Sequence, residues 1–532
     1  MKHNTKLLIA ALIAIASCKK NDNNGVTPEP EFFVNEDPAT FAEIGKIKIG
    51  GTAAAEISAY DSITQRLFVV NNEGTDGAVN RIDVVDIKNP ANPVFIRSIS
   101  MAPYGGAVNS VSVYNGRLAA AIQSINKTDD GKVAVLKTTD YSEIKSVTVG
   151  ALPDMVTFSP DGKFIMTANE GEPNADYSTD PKGSISIIDT DNNYAVTTLY
   201  FDGFAGQATA LKAKGFRIFG PQANPDFASN IEPEYITISA DSKTAWVTLQ
   251  ENNAIAKVNI AGKVITDIFP LGFKDYSLAG NEIDVTDDDK RYLAAKWSHV
   301  KGIYMPDAIA VLERSSIPYL FTANEGDARE YKDANDKDIY VEAKRIGNKS
   351  IILDPVVFPN ATDLRQNGIL GRLNITTTLG DKDGDGDFDE LYSFGARSFS
   401  VWNGLTGAQV FDSKNELDIK TYDILGLGNN DNKIPGYDDG RSDDKSVEPE
   451  GIAVGKVGKT DVAFVGMERA DAVAMYDISN PQNPKFLQLV KTGDAPEGVL
   501  FVPARMSPTK KSLLIVSSEG DGMVTIYTPK TI

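Results

Sequence analysis

Cysteine and histidine are almost missing from this chain. Cys18 is the only cysteine, so no internal disulfide and no thiolate metal site can form. Of the two histidines, His3 lies in the leader, which leaves His299 as the one base available to a Ser-His-Asp triad and excludes a multi-histidine zinc site. Chemistry here must rest on carboxylates, Arg, Lys, Tyr and hard metal ions. Beyond the leader no apolar run approaches the ~20 residues a membrane helix needs. Positive charge is also short, with 53 basic against 73 acidic residues and a net charge of −20. Such a surface repels nucleic acid and anionic headgroups and attracts cations. With 42% hydrophobic residues there is ample material for a large core.

Residues 1–17 read as a secretory signal, with Lys2 and Lys6 ahead of the apolar stretch Leu7–Ala16. Ile15-Ala16-Ser17-Cys18 resembles a bacterial lipoprotein box, in which the cysteine is lipidated and becomes the new N-terminus. Residues 18–42, rich in Asn, Lys, Pro and Glu, read as a flexible tether ahead of a domain spanning 43–532. The expected location is the cell envelope, at the outer membrane or cell surface, with membrane contact only through the lipid on Cys18.

Two acidic phrases recur. Asn71-Asn72-Glu73-Gly74, Ala168-Asn169-Glu170-Gly171, Ala323-Asn324-Glu325-Gly326 and Ser517-Ser518-Glu519-Gly520 each close an apolar run, while Glu56, Asp154, Asp307 and Glu497 each open one. A supersecondary unit repeated at ~40–50 residues signals a propeller. Starts near Glu56, Asn109, Asp154, Glu234, Asp307, Glu450 and Glu497 predict an all-β, seven-bladed β-propeller. Its last repeat, Glu497–Val502, Ser512–Ser517 and Met523–Thr528, lacks an outer strand; Ile44–Ile49 supplies one and closes the ring. Long insertions are expected around 192–229, 266–304 and 332–446.

On a propeller the acids that open first strands and close second strands share one face. This places Glu56, Glu73, Asp154, Glu170, Glu234, Glu251, Asp307, Glu325, Glu450, Glu468, Glu497 and Glu519 on one rim, where like charges need cations or arginines. The alternative is that they cap turns through backbone N–H groups. Glu73, Glu170, Glu325 and Glu519 are metal candidates on that rim. A second cluster, Asp381, Asp383, Asp385, Asp387 and Asp389, has carboxylates at alternate positions with glycine between them, the first half of an EF-hand-like loop suited to Ca²⁺. Tyr392 stands where the bidentate Glu would be, which does not support a full EF-hand; Glu390 is the candidate substitute in a shorter loop.

The segments Thr322–Tyr331, Phe394–Ser400, Glu448–Ala453 and Ala463–Arg469 resemble signatures of the choice-of-anchor I domain family, which is related to mesenchyme-specific cell-surface glycoproteins. The resemblance runs from about Glu43 to Thr528 and implies an exported propeller held to a surface by a variable anchor. The anchor, the acidic rim and the aspartate loop leave two functions open. One is a Ca²⁺-binding scaffold for cations or a surface ligand. The other is a Ca²⁺-dependent phosphoesterase, in which metal ions activate water and Arg329, Arg397 or Arg469 binds the phosphate. Candidates for such a site are Glu325, Asp327, Arg329, Arg397, Glu450, Glu468, Arg469 and Glu497.

Overall fold

The computed structural model describes residues 32–74, 79–221, 225–333, 335, 337–430 and 433–532. The leader, Cys18 and the tether up to residue 31 lie outside them. Among the described residues are seven four-stranded antiparallel sheets, arranged as an all-β propeller. The first consists of Ser58–Asp61, Arg66–Asn71, Arg81–Asp86 and Val94–Ser100, each strand paired with the next in the chain. The inner strands that begin at Ser58, Val108, Pro153, Pro233, Ile309, Pro449 and Pro496 touch one another in that order, and the last touches the first.

Burial along each sheet explains the sequence pattern. Second strands such as Phe164–Asn169 and Thr244–Leu249 are buried on both faces, because neighbouring sheets cover them, and so read as continuous apolar runs. Outer strands are wet: Val94, Phe95 and Ile96 are exposed. The core lies between sheets, as where Phe68 and Val70 meet Leu118 and Ala120.

The closing strand spans Glu36–Lys48 and pairs antiparallel with Met523–Thr531. It therefore begins ahead of the domain boundary expected at residue 43, and residues 36–42 are not tether. Two side chains fix this earlier start. Phe41 is buried edge-on to Phe464, with centroids 5.4 Å apart, and Glu36 accepts hydrogen bonds from the Ser512 N–H at 2.8 Å and its hydroxyl at 2.7 Å.

The expected insertion at 332–446 is really two. Ser398–Asn403 and Gln409–Asp412 are the third and fourth strands of the sheet begun by Ile309–Arg314 and Ile317–Asn324. Residues 325–397 therefore interrupt that sheet, and residues 413–448 follow it. With 271–308 they leave from the same side of the propeller. Residues from 271–308 and 325–397 form a cap with its own core, including Tyr276, Val300, Ile346, Leu373 and Leu391. Its sheet joins Val300–Ile303 to Leu391–Ser393 in parallel. Gly326 and Gly395 make the return possible: a Cβ on Gly326 would lie 2.1 Å from the Gly395 nitrogen. No helix among the described residues is long and apolar enough to cross a membrane.

Candidate functional site

The acids that open inner strands are aimed by a repeated backbone device. In five repeats the acid follows proline: Pro153-Asp154, Pro233-Glu234, Pro306-Asp307, Pro449-Glu450 and Pro496-Glu497. The ladder slips just after this proline in four of them, leaving Asp154, Glu234, Glu450 and Glu497 within a bulge. A bulged residue escapes strand alternation and can turn its side chain elsewhere. Before the proline, Leu152, Met305, Glu448 and Ala495 are left-handed, with φ between 45° and 52°. The carbonyl of that residue accepts from the end of the second strand: Glu170 N–H to Leu152 O at 2.8 Å, Glu468 N–H to Glu448 O at 2.9 Å, Glu519 N–H to Ala495 O at 3.0 Å. One hydrogen bond thus clips the two acidic phrases together.

The result is a cavity of about 320 Å³ lined by Glu56, Asp154, Glu234, Asp307, Glu450, Glu497 and Glu519, with Tyr235. In the second repeat Asn109 takes the acid's place and donates to Pro153 O at 3.2 Å. Among the described residues the carboxylates of Asp154, Glu234, Asp307, Glu450 and Glu497 have no hydrogen-bond or ion-pair partner, and the Glu450 Oε2 atom is buried and orphaned. Burial first, then mutual repulsion, pushes Glu234, Asp307, Glu450 and Glu497 well above the usual carboxylate range. The same causes push Glu56 to about 8 and Asp154 to about 6. An all-oxygen, anionic, partnerless donor set suits a hard cation such as Ca²⁺.

The rim acids differ from one another. Glu73 accepts from Gly51 N–H at 2.8 Å, a turn-capping role. Glu170 has no such partner, and burial with Glu172 and Asp154 nearby raises it well above its usual range. Glu325, Glu448 and Glu468 bring their oxygens together as a metal would require. The Lys445 ammonium already sits there, paired with Glu325 and 3.1 Å from Glu448. Arg441 holds Glu448 from another side at 2.8 Å, and Arg469 lies 2.9 Å from Glu468. Asp327 faces a separate cavity of about 600 Å³ beside Arg441 and Lys445; solvent reaches it there, but the surrounding protein still raises it to about 7 by desolvation.

Two of the three arginines expected to clamp phosphate are committed elsewhere. Arg329 donates to Glu232, Phe219 O and Asn230 O, each at 3.0 Å. Arg397 donates to Asp284 O, Ser442 O and Asp444 O at 2.6–2.8 Å. Both are buried; Arg329 ties its segment to residues 219–232, and Arg397 ties its own to Asp284 and to residues 442–444. Only Arg469 opens onto a cavity, one of about 620 Å³ shared with Arg441 and Lys290. His299 lies against Phe358, with ring centroids 5.6 Å apart, and lines none of these cavities.

The aspartate loop divides into two groups. Asp381, Asp383 and Asp385 converge at the surface, while Asp387 and Asp389 converge with Asp354. Asp354 arrives because Leu353 bridges Phe388 in parallel. Glu390 joins neither group. It pairs with Lys301 at 2.9 Å and Lys382 at 2.8 Å, and its pKa lies at about 2, where these lysines and the Tyr392 hydroxyl outweigh the opposing effect of burial.

Asp354, Arg441, Lys445, Glu448 and Tyr235 were missed from the sequence. The proline ahead of the acid, five times repeated, was the available signal for the axial positions.

The choice-of-anchor I domain model matches residues 56–481. Gigasin-3a from Magallana gigas is 28% identical over 188 residues, 31% of this chain and 66% of that protein. The mesenchyme-specific cell surface glycoprotein of Strongylocentrotus purpuratus is 25% identical over 346 residues, 58% of this chain and 44% of that protein. The chain thus matches less than two thirds of the length of either relative. Among solved structures, hydrazine synthase from Kuenenia stuttgartiensis aligns at 14% identity and TM-score 0.45, covering 90% of this chain and 97% of that one. The Myceliophteria thermophila Cps50 (Swd1) β-propeller domain aligns at 8% and 0.45, covering 92% and 100%. The matched family region takes in every inner-strand acid except Glu497, and by that match the chain belongs to the choice-of-anchor I domain family.

Proposed function

We propose that this protein is an exported propeller, lipid-anchored through Cys18, whose axial face binds Ca²⁺ and serves as a binding module at the cell surface. The observation that carries this reading is the set of five axial carboxylates without a protein partner. So many buried anions repel one another unless protons or a cation neutralise them, and oxygen-only ligation favours Ca²⁺. The name of the Strongylocentrotus purpuratus relative, a cell surface glycoprotein, supports the location. The aspartate loop is a second Ca²⁺ candidate, one that would brace the cap. The phosphoesterase alternative has less support, since Arg329 and Arg397 are buried and donate to Glu232 and to loop carbonyls.

Calorimetric titration of chelator-stripped protein tests the reading. Ca²⁺ should bind in two classes. Asp154→Asn with Glu497→Gln should remove one, and Asp383→Ala with Asp385→Ala should weaken the other. An isotherm unchanged by the axial pair would remove the axis from the account. Hydrolysis of p-nitrophenyl phosphate that needs Ca²⁺ and disappears in Arg469→Ala would instead favour catalysis.

A further inference from the structure

Both described chain ends lie on the face opposite the acidic rim. At one end of the closing strand Lys48 pairs with Met523, and Ile49 N–H donates to Gly522 O beside the rim. At the other, Glu36 pairs with Thr531, and Ile532 N–H donates to Asn35 O at 2.8 Å. Around that far end the charge reverses. Lys456, Lys459, Arg505, Lys510, Lys511 and Lys530 are all exposed, and none is in an ion pair among the described residues. Among the described residues the nearby acids are engaged: Glu36 is buried on Ser512, Asp37 accepts from Ala39 N–H at 3.0 Å, and Asp461 pairs with Arg314 at 2.9 Å. Phe32, Phe33 and Met506 are 40–49% exposed in the same region. Phe32 and Phe33 share a cavity of about 540 Å³ with Lys456 and Arg505, and the Lys459 ammonium lies 5.5 Å from the Phe33 ring centroid.

Unpaired bases beside half-exposed aromatic rings suit the boundary between headgroups and acyl chains. On a chain of net charge −20 their grouping at one place is a local departure from the whole. The described chain begins at Phe32, on this face, and 14 residues separate Cys18 from it in the sequence, counting Cys18. A flexible linker of that length has a mean span of about 20 Å, short enough to return the face repeatedly to the ~10 Å over which salt leaves such attraction effective. From the unpaired basic and aromatic groups at the chain's exit, we propose that this face docks on anionic lipid headgroups and turns the axial cavity away from the membrane. The proposal rests on the lipid-anchor reading for its setting, but the surface can be tested without the lipid.

The full chain carrying Cys18→Ser would be sedimented with phosphatidylcholine vesicles, with and without about a third phosphatidylglycerol. Bound protein should rise at least about tenfold with the anionic lipid, as four or more bases near a charged surface require. The rise should vanish in about 0.5 M salt. It should also vanish in the variant Lys456→Gln, Arg505→Gln, Lys510→Gln, Lys511→Gln, whose leader is unchanged. Equal binding by parent and variant would overturn the proposal. So would charge-dependent self-association in place of vesicle binding, since the face would then meet the acidic rim of a second copy. A mass showing no lipid on Cys18 of the exported protein would overturn the anchoring reading alone.

Discussion

Asn169 and Glu170 stand side by side in one acidic phrase and do different things. Asn169 is fully buried and donates to Ser184 Oγ at 3.1 Å and Ser186 Oγ at 3.0 Å, tying its second strand to the third. Asn324 repeats this with Ser398 and Ser400. Asn169→Ala should therefore destabilise the protein by about 2 kcal/mol, the scale of stranding buried hydroxyls. Glu170 has no protein partner and is repelled by Glu172 and Asp154. Glu170→Gln should leave the melting temperature in chelator unchanged or higher, and should reduce the rise produced by Ca²⁺. Thermal melts of both variants, with and without Ca²⁺, decide this; a large loss for Glu170→Gln in chelator would mark the acid as a structural cap. The repetition of these acids was legible in the sequence because the phrases recur. Their separate roles were not, because the partners of Asn169 lie on the following strand. Asp354 and Lys445 were illegible for a related reason: Asp354 meets its cluster through a bridge distant in the chain, and Lys445 reaches Glu325 across 120 residues.

Among the elements, the closing strand shows how far a pattern can be trusted. The alternation in Ile47-Lys48-Ile49 marked an outer strand correctly, but the stretch 36–42 is polar enough to pass for tether. What makes it strand is distant: Phe41 packs against Phe464, and the Gln488 side chain donates to Phe41 O at 2.7 Å. Phe41→Ala should cost about 3–5 kcal/mol, as expected for emptying a buried aromatic site. Because the strand joins the first and last parts of the ring, the loss should appear as a lower midpoint in denaturant and as faster hydrogen exchange along Met523–Thr531. A midpoint unchanged within error would show that ring closure depends on the later residues 43–48 alone. The insertions were harder to read. Ser398–Asn403 and Gln409–Asp412 form a hairpin between two long insertions, so the repeat spacing does not place it beside Ile317–Asn324.

Across the whole molecule, net charge averages two unlike faces. The value of −20 describes the side with the axial cavity and conceals the unpaired bases where the chain emerges. The acidic face also sets how stability responds to pH. Glu56 and Asp154 have folded values near 8 and 6 against ordinary values of 4.5 and 3.8, and burial raises four further axial acids well above the usual range. A raised carboxyl lets the folded state keep protons that the unfolded chain has already released. Its contribution is full below the unfolded value and is lost as pH rises through the folded one. Glu390, held near 2, acts the other way and loses its contribution only in strong acid. In chelator the melting temperature should therefore fall steadily between about pH 5 and pH 8.5. Millimolar Ca²⁺ should flatten that fall, because a bound divalent ion replaces the protons as the neutralising charge. Asp154→Asn with Glu497→Gln should flatten it without Ca²⁺, since fewer acids remain to ionise. If the melting temperature in chelator instead rises across this range, the axial acids are not the buried, unpartnered groups that the geometry makes them.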